Sequence, residues 1–105
     1  MDSQESRASR LEEILEIEGE IEQIKRTPTY MKILDNLKRL KGMRFGNPVM
    51  TIPMPDDLGS SLRVRIHSKE MKAILRRYDE LRREYEEKID RLYKRKRGLE
   101  KLLFG

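Results

Sequence analysis

The sequence predicts a mainly α-helical fold: an antiparallel coiled-coil helical hairpin, its first arm kinked or broken at Pro28, with a small β-hairpin at the connection. Three observations predict it. Apolar residues recur at heptad spacing over the last third of the chain, and isoleucines recur at three and four residues near the N-terminus. The stretch between them is rich in Pro and Gly and alternates apolar with polar residues.

The first arm is predicted to contain two helices, 7–26 and 28–41. Isoleucines at positions 14, 17, 21 and 24 form one helical face, and Pro28 interrupts it because proline lacks an amide donor and disfavours helical geometry at Thr27. Thr27 as N-cap and Pro28 as first helical residue predict a clean restart, and Gly42 is a suitable C-cap. The arm is therefore kinked or broken rather than continuous.

The middle segment, 43–68, is predicted to form a β-hairpin. Residues 49–53 are typical of a short strand, and residues 62–67 of a better one because they alternate with period two. Residues 55–61 between them are rich in turn-forming types. Pro53 confines the first strand to an edge or ends it.

The C-terminal segment, 69–103, is predicted to form one long coiled-coil helix capped by Ser68. With Met71 as position a, the d positions include Lys88, Arg95 and Leu102, and Ile89 falls at e. Acid–base pairs at i,i+4, such as Asp79–Arg83, support the helix. The predicted seam of both arms consists of Ile14, Ile17, Ile21, Ile24, Ile74, Tyr78, Leu81, Tyr85, Leu92, Leu99 and Leu102.

Charge is distributed unevenly along the chain, whose net charge is +5. Residues 1–26 carry a net charge of −4 and residues 69–105 a net charge of +5, which favours pairing of the two arms. In an antiparallel pairing of the two arms, in which the numbers of facing residues sum to about 110, Lys88 is expected near Glu22 and Arg95 near Glu16. The 105 residues are predicted to form a single domain.

The apolar stripes are wider than the seam of a two-helix hairpin. The surplus is explained by a third helix folded at Pro28, by oligomerisation, or by a partner-binding face. Of these, we predict a homo-oligomer, most simply a dimer.

Composition excludes several classes of protein. The chain has no cysteine, its N-terminus is polar, and it has no apolar run near the roughly 18–20 residues that a membrane span needs. We therefore predict a cytoplasmic, intracellular protein without membrane, metal or cofactor binding. His67 is expected to be a surface residue at a strand end, and Asp56 and Asp57 to be turn residues, so no catalytic constellation is predicted and the chain is not expected to be an enzyme.

Two surfaces could carry binding. Cations on the outer face of the last helix and on one strand face are either a solvated surface or contacts to nucleic acid or an acidic partner: Arg63, Arg65, Lys72, Arg76, Arg83, Lys94, Arg97 and Lys101. The hairpin tip either packs on the helices or offers an apolar and acidic contact surface made of Met50, Ile52, Met54, Asp56, Asp57 and Leu58.

The order helix, β-hairpin, helix at about this length resembles the layout of a prefoldin β-type subunit, whose hairpins assemble into a β body from which coiled coils project. The resemblance covers the layout of the chain and implies a chaperone-like assembly. From the residues themselves, we predict a non-enzymatic coiled-coil interaction protein that acts as an oligomeric adaptor, assembly factor or inhibitor of a larger partner. The alternative is a nucleic-acid-binding accessory protein that uses a basic helix face.

Overall fold

A computed structural model describes residues 3–42 and 49–104, with the side chains of 6–42 and 49–104. Its elements are helix α1, Ser3–Lys25; helix α2, Pro28–Gly42; strand β1, Val49–Met54; strand β2, Asp57–Arg65; and helix α3, Lys69–Phe104. The mainly helical fold with a small antiparallel hairpin is confirmed. The coiled-coil arrangement and the single domain stay predictions.

The chain divides into two compact units. Unit 1 comprises Met1–Thr27 and Tyr85–Gly105, and unit 2 comprises Pro28–Glu84. Unit 1 thus contains α1 and the last part of α3, whereas unit 2 contains α2, the hairpin and the first part of α3.

The predicted interruption at Pro28 is a break of two residues, because α1 ends at Lys25 and α2 begins at Pro28. The Thr27 hydroxyl, expected to cap α2, donates to the Gln23 carbonyl at 3.0 Å and so satisfies the last turn of α1. The Thr27 amide also bonds back, to the Ile24 carbonyl at 3.1 Å, which tightens that turn. Gly42 is the last residue of α2.

The hairpin of unit 2 differs from the prediction in its turn. β1 continues through Met54 and β2 already begins at Asp57, so the turn is Pro55–Asp56 rather than residues 55–61. The ladder runs from Val49 opposite Arg65 to Pro53 opposite Ser61, and its register then shifts so that Met54 lies opposite Asp57. The Asp57 carboxylate stabilises this irregularity because it accepts bonds from the Gly59 amide, at 3.3 Å, and the Ser60 hydroxyl, at 2.7 Å.

Helix α3 begins as predicted. The Ser68 hydroxyl accepts a bond from the Met71 amide at 3.1 Å, which is the geometry of an N-cap. Strand β2 ends at Arg65, two residues before the predicted end at His67. His67 lies instead in the turn to α3 with φ of 66°, a left-handed conformation uncommon for a residue with a Cβ.

The core of unit 2 is built from one face of each of its elements. The buried side chains are Tyr30, Ile33, Leu37 and Leu40 on α2, Ile52 and Val64 on the hairpin, and Met71, Ile74 and Tyr78 on α3. In this part of α3 the buried residues are therefore the predicted a and d positions.

Tyr78 connects three elements of this core. Its hydroxyl donates to the carbonyl of Pro53 on β1 at 2.6 Å and accepts a bond from the side-chain amide of Asn36 on α2 at 3.2 Å. Tyr78 is fully buried, and this burial raises the pKa of its hydroxyl above the ordinary value. One side chain thus satisfies polar groups on α2 and β1 while its ring packs in the core.

In unit 1, α1 packs on the last part of α3. Ile14, Ile17 and Ile21 are buried on α1, and Ile89 is buried on α3. Higher residue numbers on α1 meet lower numbers on α3, because Glu13 pairs with Arg95 whereas Glu20 and Ile24 line a small cavity with Lys88 and Leu92.

The ion pairs between the two helices of unit 1 lie on either side of the predicted register, because the paired residue numbers sum to 108 for Glu13 with Arg95 and to 114 for Glu18 with Lys96. Arg95 pairs with Glu13 rather than with Glu16. Glu13 directly precedes Ile14 and flanks the buried stripe, whereas Glu16 points outward and is exposed. Lys88 lines a cavity with Glu20 and Ile24, which lie on either side of Glu22 in the sequence, and the Glu22 carboxylate itself pairs with Arg26 on its own helix.

The buried stripe of α3 in unit 1 also differs from the predicted seam. Leu102, a predicted d residue, is 63% exposed, and Lys88 and Arg95 are exposed too. The e residues Ile89 and Leu103 turn inward instead, being buried and half-buried. An α-helix drifts by about 20° per heptad relative to a strict seven-residue repeat, so a stripe that begins at a and d ends at a and e.

Replacement of Tyr78 by Phe tests the central bond of unit 2. Because the Pro53 carbonyl and the Asn36 amide lose their partner, Tyr78→Phe should lower the free energy of unfolding by about 1–2 kcal/mol. Urea denaturation measures the change. The control is Tyr93→Phe, which removes an exposed hydroxyl bonded to Lys25 in unit 1 and should cost no more than about 0.5 kcal/mol. Equal losses in the two variants would contradict this role of Tyr78.

The raised pKa of Tyr78 also predicts a pH dependence. Its folded-state pKa lies above the unfolded value of 10.0, so the folded chain keeps a proton that the unfolded chain releases. The stabilisation that the protonated Tyr78 hydroxyl gives to the folded chain is fully present below pH 10.0 and is lost as pH rises through the folded-state pKa. The difference in unfolding free energy between wild type and Tyr78→Phe should therefore stay constant below pH 10.0 and shrink as pH rises above it; a difference that stays constant above pH 10.0 as well would contradict the assignment.

Candidate functional site

The net positive charge of the chain belongs to unit 2. Unit 2, residues 28–84, contains 13 basic and 7 acidic residues and so carries a net charge of +6. Unit 1, residues 1–27 and 85–105, contains 11 basic and 12 acidic residues and carries a net charge of −1. The sequence segments had suggested that the last helix is the basic element. The fold instead brings the acidic α1 against the end of that helix and leaves the excess of cations in unit 2.

All eight predicted basic contact residues are exposed. The structure divides them between the two units. Lys94, Arg97 and Lys101 belong to unit 1, whereas the other five belong to unit 2: Arg63, Arg65, Lys72, Arg76 and Arg83.

Three of the five line one open groove along the first part of α3. Lys72, Arg76 and Arg83 surround this groove together with Leu75, Asp79 and Glu80, and its volume is about 510 Å³. The spacings of four and seven residues place the three cations on one helical face. We call the surface formed by Lys72, Arg76 and Arg83 the basic groove.

The two acids of the basic groove are neutralised by cations outside it. Asp79 pairs with Lys41 of α2 at 3.4 Å and with Arg82 at 3.2 Å, so it does not form the predicted i,i+4 pair with Arg83. Glu80 pairs with Arg77 at 3.2 Å. Within the described residues, the three cations of the basic groove make no ion pair.

A second basic surface lies on the hairpin. Arg63 and Arg65 of β2 are exposed and stand opposite Thr51 and Val49 of β1. Val64 between them points to the other face and is buried. The alternation predicted from the sequence therefore holds, with both arginines on the outer face of the hairpin.

The predicted tip surface is largely used for folding. Ile52 is fully buried and cannot be a contact residue, which corrects that prediction, and Met50, Met54 and Leu58 are half-buried. This burial favours the alternative in which the hairpin packs on the helices of its own unit.

Asp56, in the turn of the hairpin, is bound to α3. The Arg77 guanidinium donates to its carboxylate from Nε at 2.9 Å and from Nη2 at 2.7 Å. These hydrogen bonds lower the pKa of Asp56 below its ordinary range. Asp56 and Asp57 are thus engaged separately, Asp56 with α3 and Asp57 with the bulge of β2.

No cluster of three or more His, Cys, Asp or Glu residues that could hold a metal ion occurs among residues 3–42 and 49–104. His67 is exposed in the turn before α3. No helix in the described part of the chain is long and apolar enough to cross a membrane.

Sequence reasoning missed two features of unit 2. A groove of about 660 Å³ lies beside α2, lined by Lys32, Asp35, Asn36, Lys38, Arg39 and Gly42. The clamp between Arg77 and Asp56 was also missed, because its partners are separated by 21 residues and no local spacing relates them. A surplus of cations on α2, four against one acid in 27–42, was the available signal for the groove.

Comparison with protein-family models, with curated proteins and with solved structures finds no match to this chain.

The clamp on the hairpin turn is testable by hydrogen exchange. Asp56→Ala removes the acceptor that Arg77 uses to hold the turn, so amides at residues 57–60 should exchange faster. Glu80→Ala is the matched control, because it removes the other partner of Arg77 and leaves the bond to the turn intact. Unchanged protection in Asp56→Ala, or the same loss in Glu80→Ala, would contradict a clamp.

Proposed function

We propose that this chain is a non-enzymatic nucleic-acid-binding protein that contacts phosphates through the basic groove, with Arg63 and Arg65 as additional contacts. The observation that supports the proposal is the pairing pattern in the basic groove. Its acids are neutralised by other cations, while Lys72, Arg76 and Arg83 are exposed and unpaired within the described residues. Their charge is therefore available to an external anion.

The dimensions of the basic groove suit a row of phosphates. Residues 72 and 83 are separated by about 16 Å along the helix at 1.5 Å per residue, which is several times the rise between neighbouring nucleotides. Arg76 and Arg83 present planar guanidinium groups, which match phosphate oxygens in a bidentate way. A linear polyanion can therefore be contacted at more than one phosphate.

The proposed contacts are to the backbone rather than to the bases. Both tyrosines of unit 2, Tyr30 and Tyr78, are buried and cannot stack on bases. Cations at exposed ends of long side chains position a nucleic acid and carry little sequence information. We therefore expect binding with weak sequence preference and a steep dependence on salt.

The other predicted functions stay predictions. The protein-binding adaptor, assembly-factor or inhibitor role would use a contact surface. The apolar tip residues proposed for it are buried or half-buried, and the carboxylates of Asp56 and Asp57 are engaged in hydrogen bonds within unit 2. The prefoldin-like assembly rests on the layout of the chain. For these reasons we place the nucleic-acid function first.

Fluorescence anisotropy with labelled duplex and single-stranded oligonucleotides tests the proposal. Arg76→Glu/Arg83→Glu should weaken binding at low salt by about tenfold or more and should lower the slope of log affinity against log salt by about 2, since each phosphate contact contributes about 1. The matched control is Lys88→Glu/Arg91→Glu, which makes the same charge change on the same helix but in unit 1. It should retain most of the affinity.

Two outcomes would contradict the proposal. Wild-type protein that binds neither oligonucleotide at low salt would exclude nucleic acid as the ligand. An equal loss of affinity in the two charge-reversal variants would show that net charge, rather than the basic groove, determines binding.

A further inference from the structure

Unit 1 exposes large apolar side chains that its own packing leaves uncovered. Of the seven exposed large apolar residues in the described chain, four belong to this unit: Leu11, Leu15, Leu102 and Phe104, at 46%, 65%, 63% and 78% exposure. Single exposed leucines are common on protein surfaces, but a group near one end of a helix pair indicates an interaction surface.

Leu11 and Leu15 lie on the same face of α1 as Glu18, which lies on one side of the contact between α1 and the last part of α3. Leu11, Leu15 and Glu18 are spaced by four and three residues, which places them on one face of α1. Glu18 pairs with Lys96 of α3 at 3.0 Å. Leu11 and Leu15 therefore lie on the side of the helix pair that carries Lys96.

The same flank of α3 continues the apolar surface. Leu99 and Leu103 follow Lys96 by three and seven residues, which places them on its face, and both are half-buried. Because higher numbers on α3 meet lower numbers on α1, these residues lie towards Leu11 and Leu15. We call the surface formed by Leu11, Leu15, Leu99 and Leu103 the unit 1 patch.

The two helical segments that form the unit 1 patch carry net charges of opposite sign. Residues 1–27 carry a net charge of −4, and residues 85–105 carry a net charge of +3. Such a surface is complementary to itself, because a two-fold axis can bring the acidic helix of one copy against the basic helix of another. A ligand of a single charge sign would be attracted by one helix and repelled by the other.

We infer that the unit 1 patch is the interface of a homodimer, in which a second copy of this chain packs through the same patch with its helices exchanged about a two-fold axis. Burial of the four leucines supplies the free energy of association, and the opposite charges of the two helices determine how the two copies are oriented. This interface is independent of nucleic-acid binding, because the basic groove lies in unit 2.

Sedimentation equilibrium over a wide range of protein concentration tests the inference. The wild-type chain should have twice the monomer mass of 12.6 kDa. Leu15→Glu should have the monomer mass, because a charge buried between apolar side chains is strongly disfavoured. The side chain is 65% exposed in the single chain, so the fold does not depend on it, and circular dichroism should show unchanged helicity.

Two further variants make the result specific. Met31→Glu introduces the same charge at a 52% exposed apolar residue of unit 2 and should remain dimeric. Leu15→Lys should be monomeric like Leu15→Glu, since both charges are disfavoured at a buried interface. A wild-type chain that is monomeric throughout, or a Leu15→Glu variant that remains dimeric, would overturn the inference.

Discussion

The hydroxyl of Tyr78 bonded to the Pro53 carbonyl is the interaction on which unit 2 depends. A hairpin of two strands is marginal by itself in water, so this one needs a helix to pack against. Tyr78 supplies apolar area from α3 and satisfies a strand carbonyl where the ladder changes register. The bond from Asn36 fixes the same hydroxyl to α2, so a single residue determines how three elements meet.

This arrangement determines which charges remain available for binding. Packing of α2 on α3 brings Lys41 to Asp79, and packing of the hairpin on α3 brings Asp56 to Arg77. Asp79, which lines the basic groove, and Asp56 are thereby paired with cations outside the groove. The positive potential of the basic groove is a consequence of how the core is packed, since composition by itself assigns the same acids and bases to many other pairings.

Unit 1 shows how the geometry of a straight helix modifies a heptad pattern. The seven-residue repeat places Leu102 at the seam, whereas the natural repeat of 3.6 residues per turn rotates it outward and Leu103 inward. Leu11 and Leu15 on α1, together with the half-buried Leu99 and Leu103 on α3, form the unit 1 patch through which we infer that two chains associate. The broad apolar stripe read from the sequence is thus explained in unit 1 by residues outside the intrachain contact.

The sequence by itself determined the helices, the interruption at Pro28, the strand alternation that separates Arg63 from Val64, and the N-cap at Ser68, because each depends on residues within a few positions of one another. It also determined the list of exposed cations. Only the tertiary structure decided that Asp79 pairs with Lys41 and Arg82 and that Arg77 holds Asp56. It also decided that Ile52 is buried and that the Tyr78 hydroxyl bonds the Pro53 carbonyl. These contacts join residues distant in the chain, and no periodicity records which face of one element meets which face of another.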